Sequence, residues 1–326
     1  MNKLIHGQIS SLEKSRGSRV ITYLTSDRAP FPAQIALDVL PLFYQTLQSI
    51  KKTKKISLFL FSTGGNLDAP WPLVNMIREY CDEFEVIIPF KALSAATLIA
   101  LGANKIVMTP LSQLSPIDPE GTFLMEGKQE NYSVEDVVSY IEFAKDKVGI
   151  AESQPLSEVL RLLAQEIKPH ILGSLNRTHM RIRHLAKSML EMHLKDPKYD
   201  KDLVAIVNNL TQLLGSHNHL IQRREARDAI GFRDIIEFAD EDTEKKVGDI
   251  FSEYAKSMEL DQPFDPIKLS NNEPQKDIII YRAYIESLDI SHVFSSPMKI
   301  LLDAATKQIN IQPGGPDAWS TVKVEK

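Results

Sequence analysis

Between a basic turn at residues 51–55 and the pair Gly64-Gly65 lies Ile56-Ser57-Leu58-Phe59-Leu60-Phe61, apolar at every position but one. A run so short and so continuously apolar, closed by Ser62-Thr63-Gly64-Gly65, reads as a buried strand ending in a sharp turn. A helix over 35–50, with Leu37, Leu40, Leu42, Phe43 and Leu47 at helical spacing, precedes it. A helix over 67–80 follows, with Pro70 and Pro72 tolerable only in its first turn. The unit then repeats, with strands over 84–89 and 105–108 on either side of a short apolar helix over 94–101. Repeated strand–helix units of this length predict an α/β fold with a largely parallel sheet and right-handed crossovers. In such sheets ligands gather at the carboxyl ends of the strands, where both Gly64-Gly65 and Ser94 fall.

From residue 133 the pattern turns helical, over 155–167, 172–194 and 200–214, with a shorter helix over 223–230. The stretch 240–246 is acidic and then mixed, and reads as a linker or exposed turn. Beyond it the spacing predicts a helix over 247–258 and a strand over 277–285. Residues 298–311 add a strand, or a helix and a strand. The expected organisation is therefore a domain over 1–240 that includes the helical extension, and a small C-terminal α+β region over 241–326.

Composition narrows the function classes. The chain of 326 residues is 43% hydrophobic and 25% charged, with a formal net charge of -5, which argues against a general nucleic-acid surface. Cys81 is the only cysteine, so no intramolecular disulfide can form and a reducing compartment is expected. Neither an N-terminal apolar core of signal-peptide length nor a run of about 18 apolar residues occurs, so the expectation is a cytoplasmic protein without a membrane span. Residues 121–129 miss the phosphate-loop spacing by one residue and carry Gln129 in place of Ser or Thr. His179 and His184 are five apart, a poor spacing for two metal ligands on one helical face. No metal or organic cofactor is implied.

Two short motifs carry chemistry. A glycine pair directly after a buried strand turns the backbone sharply and brings bare N–H groups close to a ligand. Ser94, in Lys91-Ala92-Leu93-Ser94-Ala95-Ala96-Thr97, stands between a strand and an apolar helix. It can act as a helix N-cap, or as a nucleophile whose oxyanion is held by the N–H of Ala95 together with those of Gly64 and Gly65.

Four segments also carry a family resemblance: residues 58–65, 84–89 and 92–108, and Leu114-Ser115-Pro116-Ile117-Asp118-Pro119. Together they resemble the serine dehydrogenase proteinase family, distant relatives of the Clp protease proteolytic subunit and of signal peptide peptidase A. The resemblance is densest over 56–120 and thins towards 232. It implies a crotonase-like, ClpP-type fold, hydrolysis of polypeptides and a homo-oligomer. It also implies a triad in the chain order Ser94, Asp118, His217. The family's usual glycine is Ala96 here, its usual proline is Thr63, and its His-Asp-Tyr-Pro pattern is His217-Asn218-His219-Leu220. His219 is therefore an alternative base, and Lys145 or Lys147 would serve a Ser–Lys dyad. Two other function classes use the same fold: a crotonase-type enzyme acting on a coenzyme A thioester, and an inactive subunit kept for assembly or partner binding.

Overall fold

The computed structural model describes all residues except 1–2, 118–119, 126–127, 151–152, 214–218, 272, 303–307 and 325–326. The chain divides into two compact units, one of residues 1–114 with 221–326 and the other of residues 115–220.

In the first unit a strand forms over Arg19–Thr25, and the strands predicted near residues 56, 84 and 105 form as Thr53–Phe61, Cys81–Ile88 and Lys105–Met108. They pair in parallel, and Ile236–Phe238 adds a further parallel strand beside Lys105–Met108. Helices Val39–Ile50, Pro70–Glu79 and Ala95–Leu101 provide the crossovers. On one face Val20, Leu24, Phe59, Phe61, Ile87 and Val107 pack against Ile5, Ile9 and Leu12 of helix Lys3–Arg16 and against Val247, Ile250, Tyr254 and Met258 of helix Glu241–Met258. Both helical stripes recur every three or four residues, the spacing that keeps one face of a helix on a core. Tyr23 meets Phe43 of helix Val39–Ile50 edge to face, at 5.3 Å between ring centroids.

The C-terminal segment extends this same sheet. Gln275–Glu286 pairs antiparallel with Arg19–Thr25, Ile290–Leu302 pairs with it in turn, and Ile309–Pro313 and Ala318–Lys323 both pair with Ile290–Leu302. Residues 241–326, expected as a small separate region, thus share the sheet and the core of the first unit. Local patterning cannot reveal a pairing such as Tyr23 with Ile285, because its two residues are far apart in sequence. The stretch 240–246 is likewise no linker. The Asp240 side chain accepts from the Thr243 N–H at 2.8 Å, and Glu241, Asp242 and Glu244 occupy the first turn of helix Glu241–Met258. Acidic residues there complement the positive helix end, so the charge run that reads as an exposed turn is an N-terminal signal. Residues 298–311 do not contain a helix among those described: a single strand, Ile290–Leu302, runs through the first part of that stretch.

In the second unit a hairpin of Glu120–Met125 with Lys128–Ser133 precedes helices Val134–Glu142, Ser153–Glu166, Pro169–Glu191 and Asp200–Asn208. Val134, Ile167, Ile171 and Leu175 form its buried apolar cluster. Arg183 reaches Thr211 at 2.6 Å and also contacts Asn208, tying the long helix to the end of the next. Among the described residues no helix is long and apolar enough to cross a membrane.

Glu85 is a charged group buried within the sheet. Glu85, fully buried, is held by Arg16, by Lys55 at 2.8 Å and by the Ser57 hydroxyl at 2.8 Å. Burial alone would raise its pKa, but the hydrogen bonds from Arg16 and Lys55 outweigh it and hold the carboxyl below its ordinary value. A group of this sign adds stability above the unfolded carboxylate's pKa and loses that contribution as pH falls through the folded-state value. Glu85→Leu strands two cations at a site built for an anion, so urea unfolding at neutral pH should show a loss of about 3 kcal/mol or more. The difference between wild type and variant should shrink below about pH 4.

Candidate active site

The carboxyl end of strand Thr53–Phe61 runs into the turn that carries the glycine pair, and hydrogen bonds define its path. Ser62 is fully buried, and its hydroxyl accepts from Thr25 Oγ1 at 2.7 Å and from the Gly64 N–H at 3.1 Å. Gly64 and Gly65 adopt φ of 110° and 145°, values that favour glycine. Residues 33–36 run alongside: Ile35 N donates to Gly64 O at 2.8 Å, and Asn66 N donates to Ile35 O at 2.8 Å. This contact is so close that a Cβ on Gly65 would lie 2.3 Å from the Ile35 carbonyl oxygen. A side chain therefore cannot replace the hydrogen at that position without moving backbone.

The next strand end brings Ser94 against this turn. Ser62 N donates to Lys91 O at 2.9 Å and Leu93 N to Ser62 O at 3.0 Å, so residues 91–93 run parallel to the glycine turn. Lys91–Ala92 also pairs with Gln113–Leu114, which pairs with Ile221–Gln222 in a second, small sheet. Thr97 Oγ1 donates to Ala92 O at 2.8 Å and closes the turn from the helix side. A Cβ on Gly64 would lie 2.9 Å from the Ser94 Cβ and 3.4 Å from the Ala95 nitrogen, so the two loops are in contact.

Ser94 itself has φ 51° and ψ -113°. Non-glycine residues rarely hold a positive φ, and those that do concentrate at functional sites. Of the two roles open to Ser94 from sequence, capping does not match this geometry: it sits at the N-cap position of helix Ala95–Leu101, but its side chain makes no cap hydrogen bond. Ser94 is half-buried, and its Cβ lies beside the glycine turn. Gly64 N–H is engaged by Ser62, whereas the N–H groups of Gly65 and Ala95 take no partner among the described residues. Such an arrangement can hold an oxygen atom carrying developing negative charge next to a hydroxyl nucleophile.

Of the other residues singled out from sequence, Asp118 and His217 lie outside the described residues. The segment leading to Asp118 is buried at Ser115 and Ile117, with Ile117 N bonded to Leu210 O at 3.0 Å within the second unit. His219 in that unit is half-buried, and Lys145 and Lys147 are exposed on the turn Phe143–Lys147. Lys91 Nζ pairs with Asp27 at 2.8 Å and lies 4.8 Å from the Phe90 ring centre. Among the described residues no group of His, Cys, Asp and Glu is arranged to hold a metal ion. Sequence reading missed Thr25, Ser62 and Ile35, which hold the glycine turn. Only the polar residues at apolar strand ends could have signalled the first two, and nothing local signals Ile35.

Residues 6–128 match the family model described as ClpP-like SDH-type serine proteinase. Two uncharacterized proteins of Methanocaldococcus jannaschii, MJ0137 and MJ1495, are 29% and 27% identical over 118 residues, which make up 34% of this chain in each case. The chain spans about two fifths of their length, 41% and 40%. Among solved structures, ClpP1 from Listeria monocytogenes is 17% identical at a TM-score of 0.37, covering 72% of this chain and 98% of that one. A mutant of a membrane-bound stomatin-specific protease in complex with a substrate peptide is 21% identical at a TM-score of 0.28, covering 39% of this chain and 58% of that one. The segment 6–128, which holds the glycine pair, Ser94 and the turns around them, thus carries the pattern of the ClpP-like SDH-type serine proteinases.

Proposed function

We propose that this chain is a serine endopeptidase that cleaves polypeptides through an acyl-enzyme on Ser94. The observation that carries the reading is the Ser94 backbone: positive φ, no capping bond, and a Cβ set against Gly64, beside the N–H groups of Gly65 and Ala95, which take no partner among the described residues. Ser94 Oγ attacks the scissile carbonyl carbon while a base takes its proton, and the carbonyl oxygen becomes an oxyanion between those two N–H groups. Collapse breaks the C–N bond, and the base returns the proton to the leaving amine. Water then hydrolyses the ester by the same route. In this reading His217, oriented by Asp118, is the base, with His219, Lys145 and Lys147 as the alternatives. Gly64 serves by its shape, since its own N–H is already engaged and its missing side chain gives Ser94 room. Assembly into a homo-oligomer belongs to the same reading.

Wild-type protein should be labelled on Ser94 by a fluorophosphonate and should cleave casein, and Ser94→Ala should lose both. Casein cleavage that persists unchanged in Ser94→Ala would rule this mechanism out. Complete inertness of the wild type to the probe would count instead for a thioester enzyme or a non-catalytic subunit.

The glycine pair gives a second test. Gly64→Ala forces a methyl group onto the Ser94 Cβ, and Gly65→Ala forces one onto the Ile35 backbone. Each should reduce kcat/KM for a peptide substrate by about a hundredfold or more, the size of effect seen when one oxyanion donor is lost. Circular dichroism should report the helices and sheet retained.

A further inference from the structure

Residues 26–36 leave the end of strand Arg19–Thr25 and double back, with Ala33 N donating to Ser26 O at 2.8 Å. Apart from the bridge of Ile35 to Gly65, the segment forms no helix or ladder of its own. Pro30 and Pro32 have no N–H, so the carbonyls around them need partners from elsewhere in the chain. Towards the serine site the segment grips both strand ends. Thr25, at its start, donates to Ser62 Oγ at 2.7 Å, and Ile35 is bonded through its backbone to Gly64 and Asn66. Asp27 pairs with Lys91 Nζ at 2.8 Å, and the Lys91 carbonyl in turn accepts from Ser62 N. Displacing this loop would therefore move the turn that carries the Gly65 N–H together with the strand end that precedes Ser94.

Towards the C-terminal strands one residue holds the loop. Arg282 lies far beyond residues 6–128, the segment that carries the family pattern. Its carbonyl accepts from Ser26 N at 2.7 Å, its Nε donates to the Phe31 carbonyl at 3.2 Å, and Nη2 donates to the Pro32 carbonyl. Nη1 is fixed by Asp317 at 2.7 Å and by the Ser296 hydroxyl at 3.2 Å, which sets the plane of the guanidinium. The pairing of Gln275–Glu286 with Ile290–Leu302 shifts register between Tyr281 and Ala283, leaving Arg282 as the extra residue of a bulge. Bulges re-aim a side chain, and this one is aimed at two consecutive carbonyls that a rigid fork of donors can span. We propose that Arg282 is a positioning residue for Ser94 and the glycine turn, acting through residues 26–36. What the positioning serves rests on the peptidase reading, whereas the hold on the turn is measurable without it.

Two readouts test this, hydrogen exchange and reaction at Ser94. Arg282→Met keeps an apolar stem beside Phe294 and removes every guanidinium donor. The amides of Ile35 and Asn66, both bonded within the clamp, should then exchange about tenfold faster or more, while those of strand Thr53–Phe61 keep their wild-type rates. Fluorophosphonate labelling of Ser94 and kcat for a peptide should fall by about tenfold to a hundredfold, with KM within about twofold of wild type. Arg282→Lys keeps a cation for Asp317 but cannot span both carbonyls, so it should show the same selective loosening to a smaller degree. Should Arg282→Met fail to fold, Arg282→Lys is judged by the same criteria. Unchanged exchange at Ile35 and Asn66, or exchange that rises equally throughout the sheet, would overturn the proposal. So would labelling that stays at the wild-type rate while the clamp loosens. A wild type inert to the fluorophosphonate would sink the peptidase reading instead, and exchange alone would then decide whether Arg282 holds the turn.

Discussion

A non-glycine residue held at a strained backbone conformation costs on the order of 1–3 kcal/mol, so it persists only where its surroundings leave it no alternative. Ser94 at φ 51° is that residue here, and the strand ends around it supply the constraint. Ser62 ties residues 91–93 to the glycine turn through two backbone bonds, and Thr97 ties the following helix to Ala92. Gly64 fills the remaining side, with no room for a methyl group. The Ser94 backbone geometry is therefore a property of two neighbouring strand ends acting together.

That arrangement needs a rigid platform, which the first unit provides by two different means. Apolar strands buried by helices on their faces give most of the cohesion, as with Phe59 and Phe61 against Tyr254. A charged cluster at Glu85 joins helix Lys3–Arg16 to the sheet through Arg16, with Lys55 and Ser57 completing its partners.

The sequence made several parts of this molecule legible. The strand preceding Gly64-Gly65 and the helices around it follow from runs and spacings of apolar residues, because burial on one or both faces imposes those periods wherever the element sits. Other parts were misread for a definite reason. The acidic run after Asp240 looks like solvent-exposed charge unless one knows that a helix begins there and that Asp240 caps it. The strand near residue 280 was visible, but its pairing with Arg19–Thr25 was not, because strand pairing depends on long-range register and leaves little local trace. The candidate site divides in the same way. Gly64, Gly65 and Ser94 stand out as small or hydroxyl residues at strand ends, whereas Ile35 acts through its backbone and has no signature of its own.

By itself, then, the sequence determined the α/β alternation, the place of the glycine pair and of Ser94 after consecutive strands, and the absence of any cysteine partner for Cys81. These depend on residue type and local period, which the chain carries wherever it folds. Tertiary structure alone decided that Ser94 takes a positive φ and makes no cap bond, that Ser62 and Ile35 hold the turn it meets, and that the C-terminal strands join the N-terminal sheet. Each of these depends on backbone dihedrals or on contacts between distant segments, and neither is encoded in any short stretch of residues.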